Sequence, residues 1–131
     1  DPRSPFEIAM DQLDAIEELD LPSSKHFKQH YTLVADTLRG YLQREFGLPA
    51  LDLTTFETKT HIRNSSVPPE EYNIVGRILR DCDMIKFTEF QPDVDTAWDV
   101  AHDTRSAVRR LQPQPTTPVE PDEKPFREVA S

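Results

Sequence analysis

His30-Tyr-Thr-Leu-Val-Ala-Asp-Thr-Leu-Arg-Gly-Tyr-Leu-Gln-Arg-Glu-Phe-Gly47 decides the fold. Together with Phe27, the residues Tyr31, Val34, Leu38, Tyr41 and Leu42 recur at steps of three and four, which is the apolar stripe of an α-helix. Gly47 supplies a C-terminal cap and Ser23-Ser24 an N-terminal one, so the spacing predicts a central helix over about 24–46. Gly40 stands inside it, where glycine costs about 1 kcal/mol against alanine. The close approach of another helix is the expected reason. Arg39 lies among aromatic residues, and a half-buried guanidinium needs a carboxylate, with Glu57 and Asp83 the expected partners.

Outward from this helix, capping signals mark the others. Ser4-Pro-Phe-Glu7 is a capping box with Pro in the first turn and opens a helix over about 4–20. Its inner face is Ile8, Leu13, Ile16 and Leu19, with Ala9 and Ala15 close by. Its outer face is acidic to the last turn, which opposes the helix dipole. The mildly basic central helix is the expected neighbour. Thr54-Thr-Phe-Glu57 is a second capping box and starts a short helix to about Asn64. Pro68-Pro69-Glu-Glu71 starts a fourth helix, with Tyr72, Val75, Ile78, Leu79 and Cys82 facing inward. Asp81 to Phe90 reads as a partly extended segment whose Phe87 and Phe90 fold back into the core. Pro92-Asp93 opens a fifth helix with Val94, Ala97, Trp98, Ala101, Ala107, Val108 and Leu111 on its apolar side. The fold class is therefore all-α: a compact bundle of about five helices over 1–111, followed by a Pro-rich disordered tail over 112–131.

Composition bounds the function. The chain has 131 residues, which suits one domain. Three glycines argue against a glycine-based phosphate loop. A net charge of −9 disfavours nonspecific binding to nucleic acid or anionic lipid. The acid is uneven: seven acids and one Arg fall before Ser23, while Ser23 to Leu111 is close to neutral. One cysteine allows no intramolecular disulfide. There is no 18-residue apolar run. A chain that begins Asp1-Pro2 without Met reads as a fragment of a longer protein.

No catalytic or cofactor set emerges. His26 and His30, at i and i+4, have the spacing of a metal pair but no third ligand, and read as a pair on the helix surface. His61 and His102 stand alone. Cys82 lies between Asp81 and Asp83, whose charges disfavour a thiolate, so it reads as a small buried apolar residue. Asp81, Asp83, Asp93, Asp95, Asp99 and Asp103 lack the order of a calcium loop; Asp93 reads as an N-cap and the others as solvated surface. Lys25, Lys28, Arg39 and Arg44 offer a basic face that a helix-turn-helix or winged-helix-like module would use for nucleic acid, with the short third helix and the Met84 to Phe90 segment as its other parts. The short third helix is not arginine-rich and the overall charge is opposed, so this is the alternative reading.

Three motifs carry a resemblance. They are Arg39-x-Tyr41-Leu42, Thr54-Thr55-x-Glu57 and Asp83-x-x-Lys86-Phe87. In this order they resemble the cytoplasmic helical domain of bacterial aerotolerance-operon (Bat-type) membrane proteins and of related single-span membrane proteins. The likeness covers about Lys25 to Val108. The family often has Ala where this chain has Thr88, and a Leu-rich helix where it has Glu57-Thr-Lys-Thr-His-Ile-Arg63. The resemblance implies a non-enzymatic interaction or scaffolding domain at the cytoplasmic face of the inner membrane. It implies anchoring by a span outside this chain, and von Willebrand A-type or MoxR-type ATPase partners. For Arg39, Tyr41, Thr54, Glu57, Asp83, Lys86 and Phe87 two roles stay open, an internal structural network or a partner surface.

Overall fold

The capping boxes form as their sequences dictate. In the computed structural model, which describes residues 1–113, Ser4 Oγ accepts from the Glu7 N–H while Glu7 Oε1 accepts from the Ser4 N–H. Helix α1 then runs Pro5–Leu19. Thr54 and Glu57 make the same reciprocal pair at the start of α3, Thr55–Arg63. Asp93 caps α5, Val94–Leu111, by accepting from the Thr96 N–H at 2.7 Å. Each pair satisfies backbone donors that a helix start otherwise leaves open.

The central helix, α2, begins later than expected, at Phe27, and runs to Phe46. Ser23 and Ser24 belong to a 3-10 turn, Leu21–Ser24, whose Leu21 and Pro22 are buried. Ser23 Oγ donates to the Asp20 carboxylate and Ser24 Oγ sits 2.9 Å from His26 Nδ1, so neither hydroxyl reaches the helix. Lys25, at φ 63°, turns the chain into α2. Gly47, at φ 71°, ends α2 as expected, and a second 3-10 turn, Ala50–Asp52, leads to α3.

The largest difference from the sequence reading is in α4, Pro69–Phe87. Asp81 to Phe87 is not extended; it forms the last two turns of that helix. A contact from outside the segment closes this helix end. Lys28 of α2 places its Nζ 2.8 Å from the Ile85 carbonyl, 3.3 Å from that of Lys86 and 2.7 Å from that of Thr88. One cation collects the open carbonyls at the negative end of the helix. Once α4 continues, Ile78, Leu79, Cys82 and Ile85 form its buried face. Phe87 is two residues past Ile85, about 200° round the axis at 3.6 residues per turn. It is therefore not in the core: Phe87 and Phe90 are 74% and 57% exposed.

α2 is the axis of the bundle. Its Val34, Leu38, Tyr41 and Leu42 are fully buried within a core built from α1, α4 and α5. α1 packs on both α2 and α5, and its acid is answered from α5 rather than from the central helix. Arg105 pairs with Asp14 at 2.9 Å and Glu17 at 3.1 Å. Leu19, expected on the inner face of α1, is exposed. Gly40 does not receive a neighbouring helix either. A Cβ there would meet the tip of Arg44, one turn on in the same helix, at 2.7 Å. Close approach occurs instead at Gly76 of α4, where the stem of Lys59 from α3 lies 3.1–3.5 Å from where a Cβ would stand.

The molecule is all-α, a five-helix bundle among the described residues, with no strand among them. Met84 to Phe87, part of the segment offered for the winged-helix alternative, is helical. No helix among the described residues is long and apolar enough to cross a membrane. The Pro-rich tail expected over 112–131 falls, from residue 114 on, outside the described residues.

Candidate functional site

Arg39 is the hub from which the site is built. It is 7% exposed, near the middle of α2. Its Nη1 donates to the carbonyls of Ala50 at 3.0 Å and Leu53 at 2.6 Å, and to Thr58 Oγ1 at 3.2 Å. Its Nη2 donates to Thr55 Oγ1 at 2.9 Å, and the Thr55 hydroxyl donates onward to Asp83 Oδ2. Neither expected carboxylate touches Arg39 directly. Glu57 is held by the backbone of Thr54, and Asp83 stands one hydroxyl away. A buried cation is stable only with such a ring of acceptors. This ring stitches α2, the 50–53 turn, α3 and α4 together, and it fixes the first turn of α3 beside the end of α4.

α3 and α4 run antiparallel. Thr55 bonds Asp83, while Arg63 near the other end of α3 bonds the Tyr72 hydroxyl of α4. α3 has 9 residues and α4 has 19. At 1.5 Å per residue, α4 is longer by about 15 Å, and its last turn, packed on α2 through Ile85, projects beyond the start of α3. Met84 and Phe87 lie on this overhang, 50% and 74% exposed. Phe56, 78% exposed in the first turn of α3, faces the same open groove of about 570 Å³. Lys59, Arg80, Asp81 and Asp83 also line it. Three large apolar side chains meeting in one open groove mark a binding surface more often than three scattered ones.

The motif residues thus divide. Arg39, Thr55 and Asp83 form the internal network; Thr54 and Glu57 are a helix cap; Tyr41 is core. Only Phe87 contributes apolar surface, with the Lys86 ammonium 5.3 Å from its ring centre. Sequence reasoning missed Phe56 and Met84. Their signal was present as apolar residues off the buried stripes of their helices, but it needs the full extent of α4 to be read.

The remaining titratable groups are structural. The Tyr41 hydroxyl is buried without a hydrogen-bond partner, and burial, with the Glu45 carboxylate adding to it, pushes its proton affinity far up. Cys82 is fully buried, and burial with Asp83 and Asp81 nearby pushes its thiol up to about 12. His26 and His30 are not a surface pair. His26 is exposed at the start of α2, whereas His30 is fully buried, edge-on to Tyr31 and Trp98. His30 Nε2 lies 2.7 Å from the Ala97 carbonyl, which makes Nε2 the protonated nitrogen and leaves Nδ1 buried without a partner. No group of three or more metal-binding side chains converges among the described residues.

His30 gives the fold a pH dependence. Burial lowers its pKa from 6.5, and the Ala97 hydrogen bond offsets part of that. Between the lowered value and 6.5 the unfolded chain binds more protons than the native one. Stability therefore rises with pH through this window and is lost as pH falls through it. Urea midpoints measured from pH 7 to pH 5 are expected to fall. His30→Gln, which keeps a donor for the Ala97 carbonyl, is expected to flatten that slope. An equal slope in the variant would assign the effect elsewhere.

Compared with protein families, with curated proteins and with solved structures, the chain gives no match.

Proposed function

We propose that this chain is a non-enzymatic protein-interaction domain that docks its partner in the α3–α4 groove. The observation that carries the reading is the convergence of Phe56, Met84 and Phe87, all at least half exposed, on one open groove held by a rigid buried network. Exposed aromatic and Met side chains are the usual anchors of protein interfaces. A buried neutral imidazole and a buried thiol held at about 12 offer little to a reaction at neutral pH. The setting follows from the Bat-type resemblance, which rests on the motif residues. In that setting the domain is carried on the cytoplasmic side of a bacterial inner-membrane protein and serves as a scaffold for von Willebrand A-type or MoxR-type ATPase partners.

Photo-crosslinking in the native host tests the docking surface. A benzoylphenylalanine at position 56 or 87 of the full-length protein is expected to give protein adducts, while one at exposed Arg109 of α5 is not. Phe56→Ser with Phe87→Ser is expected to abolish the adduct formed from a benzoylphenylalanine at position 84. Because both side chains are exposed, the melting temperature is expected to stay within a few degrees. Adducts that form from 109 but not from 56 or 87 would remove the groove as the docking surface. Fractionation of the full-length protein tests the membrane setting separately.

A further inference from the structure

We infer that the groove's partner is a short acidic amphipathic helix of another protein; this rests on the docking reading above. The chain as a whole carries −9, yet the charge left open at this groove is positive. Lys59, Arg80 and Lys86 make no ion pair among the described residues; the two lysines only lie near the rings of Tyr72 and Phe87. The carboxylates at the groove are already answered. Asp83 accepts from Thr55 beside the buried Arg39 charge, and Asp81 lies 3.9 Å from Arg77. A ligand therefore meets the unpaired Lys59 and Arg80 around an apolar floor, with the Lys86 ammonium beside the Phe87 ring at its edge. Its complement is a segment with carboxylates flanking large apolar side chains.

Geometry sets the length. Arg80, Met84 and Phe87 recur at helical steps along one open face of α4. From Arg80 to Phe87 that face runs about 10 Å, two helical turns. An occupant of about eight residues in two turns covers it, placing anchors at i and i+3 or i+4 against Phe56 and Phe87. Rim charges add mainly association rate and selectivity, so the preference is expected to weaken as salt rises.

The test is selection of binders to the full chain from a random 12-residue peptide library, with backbone amide shifts locating the selected peptides. The expected peptides are acidic, carry Leu or Phe at helical spacing, and shift the amides of Phe56, Met84 and Phe87. Lys59→Glu, Arg80→Glu and Lys86→Glu together are expected to weaken the acidic peptides at least tenfold. The same triple variant is expected to turn the selection toward basic peptides with the same apolar spacing. All three residues are at the surface or half-buried, and an unchanged helical circular dichroism signal confirms the fold. Neutral or basic peptides that map to the groove of the unaltered chain overturn the acidic partner and leave the docking reading standing. Peptides that map elsewhere, or none selected, overturn both. Groove shifts that depend on protein concentration without peptide make the occupant a second copy. Contacts from Phe126 to Phe87 make it the chain's own C-terminal segment. Either of these overturns the inference.

Discussion

Arg39→Ala is expected to lower the unfolding free energy by about 3 kcal/mol or more, read as a fall in the urea midpoint at unchanged slope. The substitution takes away the donor that serves the Ala50 and Leu53 carbonyls and the Thr58 and Thr55 hydroxyls. Ala50, Thr55 and Thr58 are buried and Leu53 is half-buried. Each buried polar group left open costs about 1–3 kcal/mol, less whatever the site regains by relaxing. Asp83 also loses the positive charge that stands one hydroxyl away. Against a typical total of about 5–15 kcal/mol the loss is severe. Arg39→Lys is expected to recover only part, since an ammonium cannot span two carbonyls and two hydroxyls as a planar fork does. Asp83→Asn is expected to cost more than Glu57→Gln, because Glu57 serves only an exposed helix cap. A loss below about 1 kcal/mol for Arg39→Ala would remove the hub from this account.

Tyr41 is expected to give opposite answers to its two truncations. Tyr41→Ala removes a fully buried ring that meets Phe46 edge-on at 6.2 Å, and is expected to cost about 3–5 kcal/mol as aromatic-to-alanine changes in cores do. Tyr41→Phe removes only the hydroxyl. That hydroxyl is buried with no hydrogen-bond partner, so the native state carries its desolvation cost without return. The phenylalanine variant is expected to be as stable as the original, or more stable by up to about 1 kcal/mol. Thermal or urea unfolding of the three proteins decides it. A clear loss in Tyr41→Phe would mean that the hydroxyl has a partner in solution, with Glu45 the nearest candidate.

The legible parts of the sequence share one property: the forces act within a few residues. Ser4 with Glu7, Thr54 with Glu57, Asp93 with the Thr96 N–H, and Gly47 at positive φ are local geometries, and each forms where it was read. The apolar stripes of α2 and α5 were equally plain, because periodicity records which side of a helix leaves water. Arg39 could be recognised as a residue needing acceptors, but not which ones. The acceptors came mainly from the carbonyls of a turn, and every residue carries a carbonyl.

The groove was not legible: Asp83 and Phe87 were singled out, but Phe87 was expected in the core. Its other parts depend on how far α4 runs, and Lys28, 57 residues before Ile85, closes that helix end. The same long-range effect put His30 inside rather than on the surface, since its cover is Trp98 and its acceptor the Ala97 carbonyl, both from α5.

By itself, then, the sequence determined an all-α bundle organised on a central helix read over about 24–46, with the Ser4, Thr54, Asp93 and Gly47 caps and most of the buried faces. Tertiary structure alone decided where α4 ends, which acceptors surround Arg39, and that Phe56, Met84 and Phe87 share one groove. The physical reason is range. Capping and periodicity are settled within a turn or two of helix, whereas a helix end closed by a distant lysine, or a ledge left by two helices of unequal length, exists only once the elements have packed.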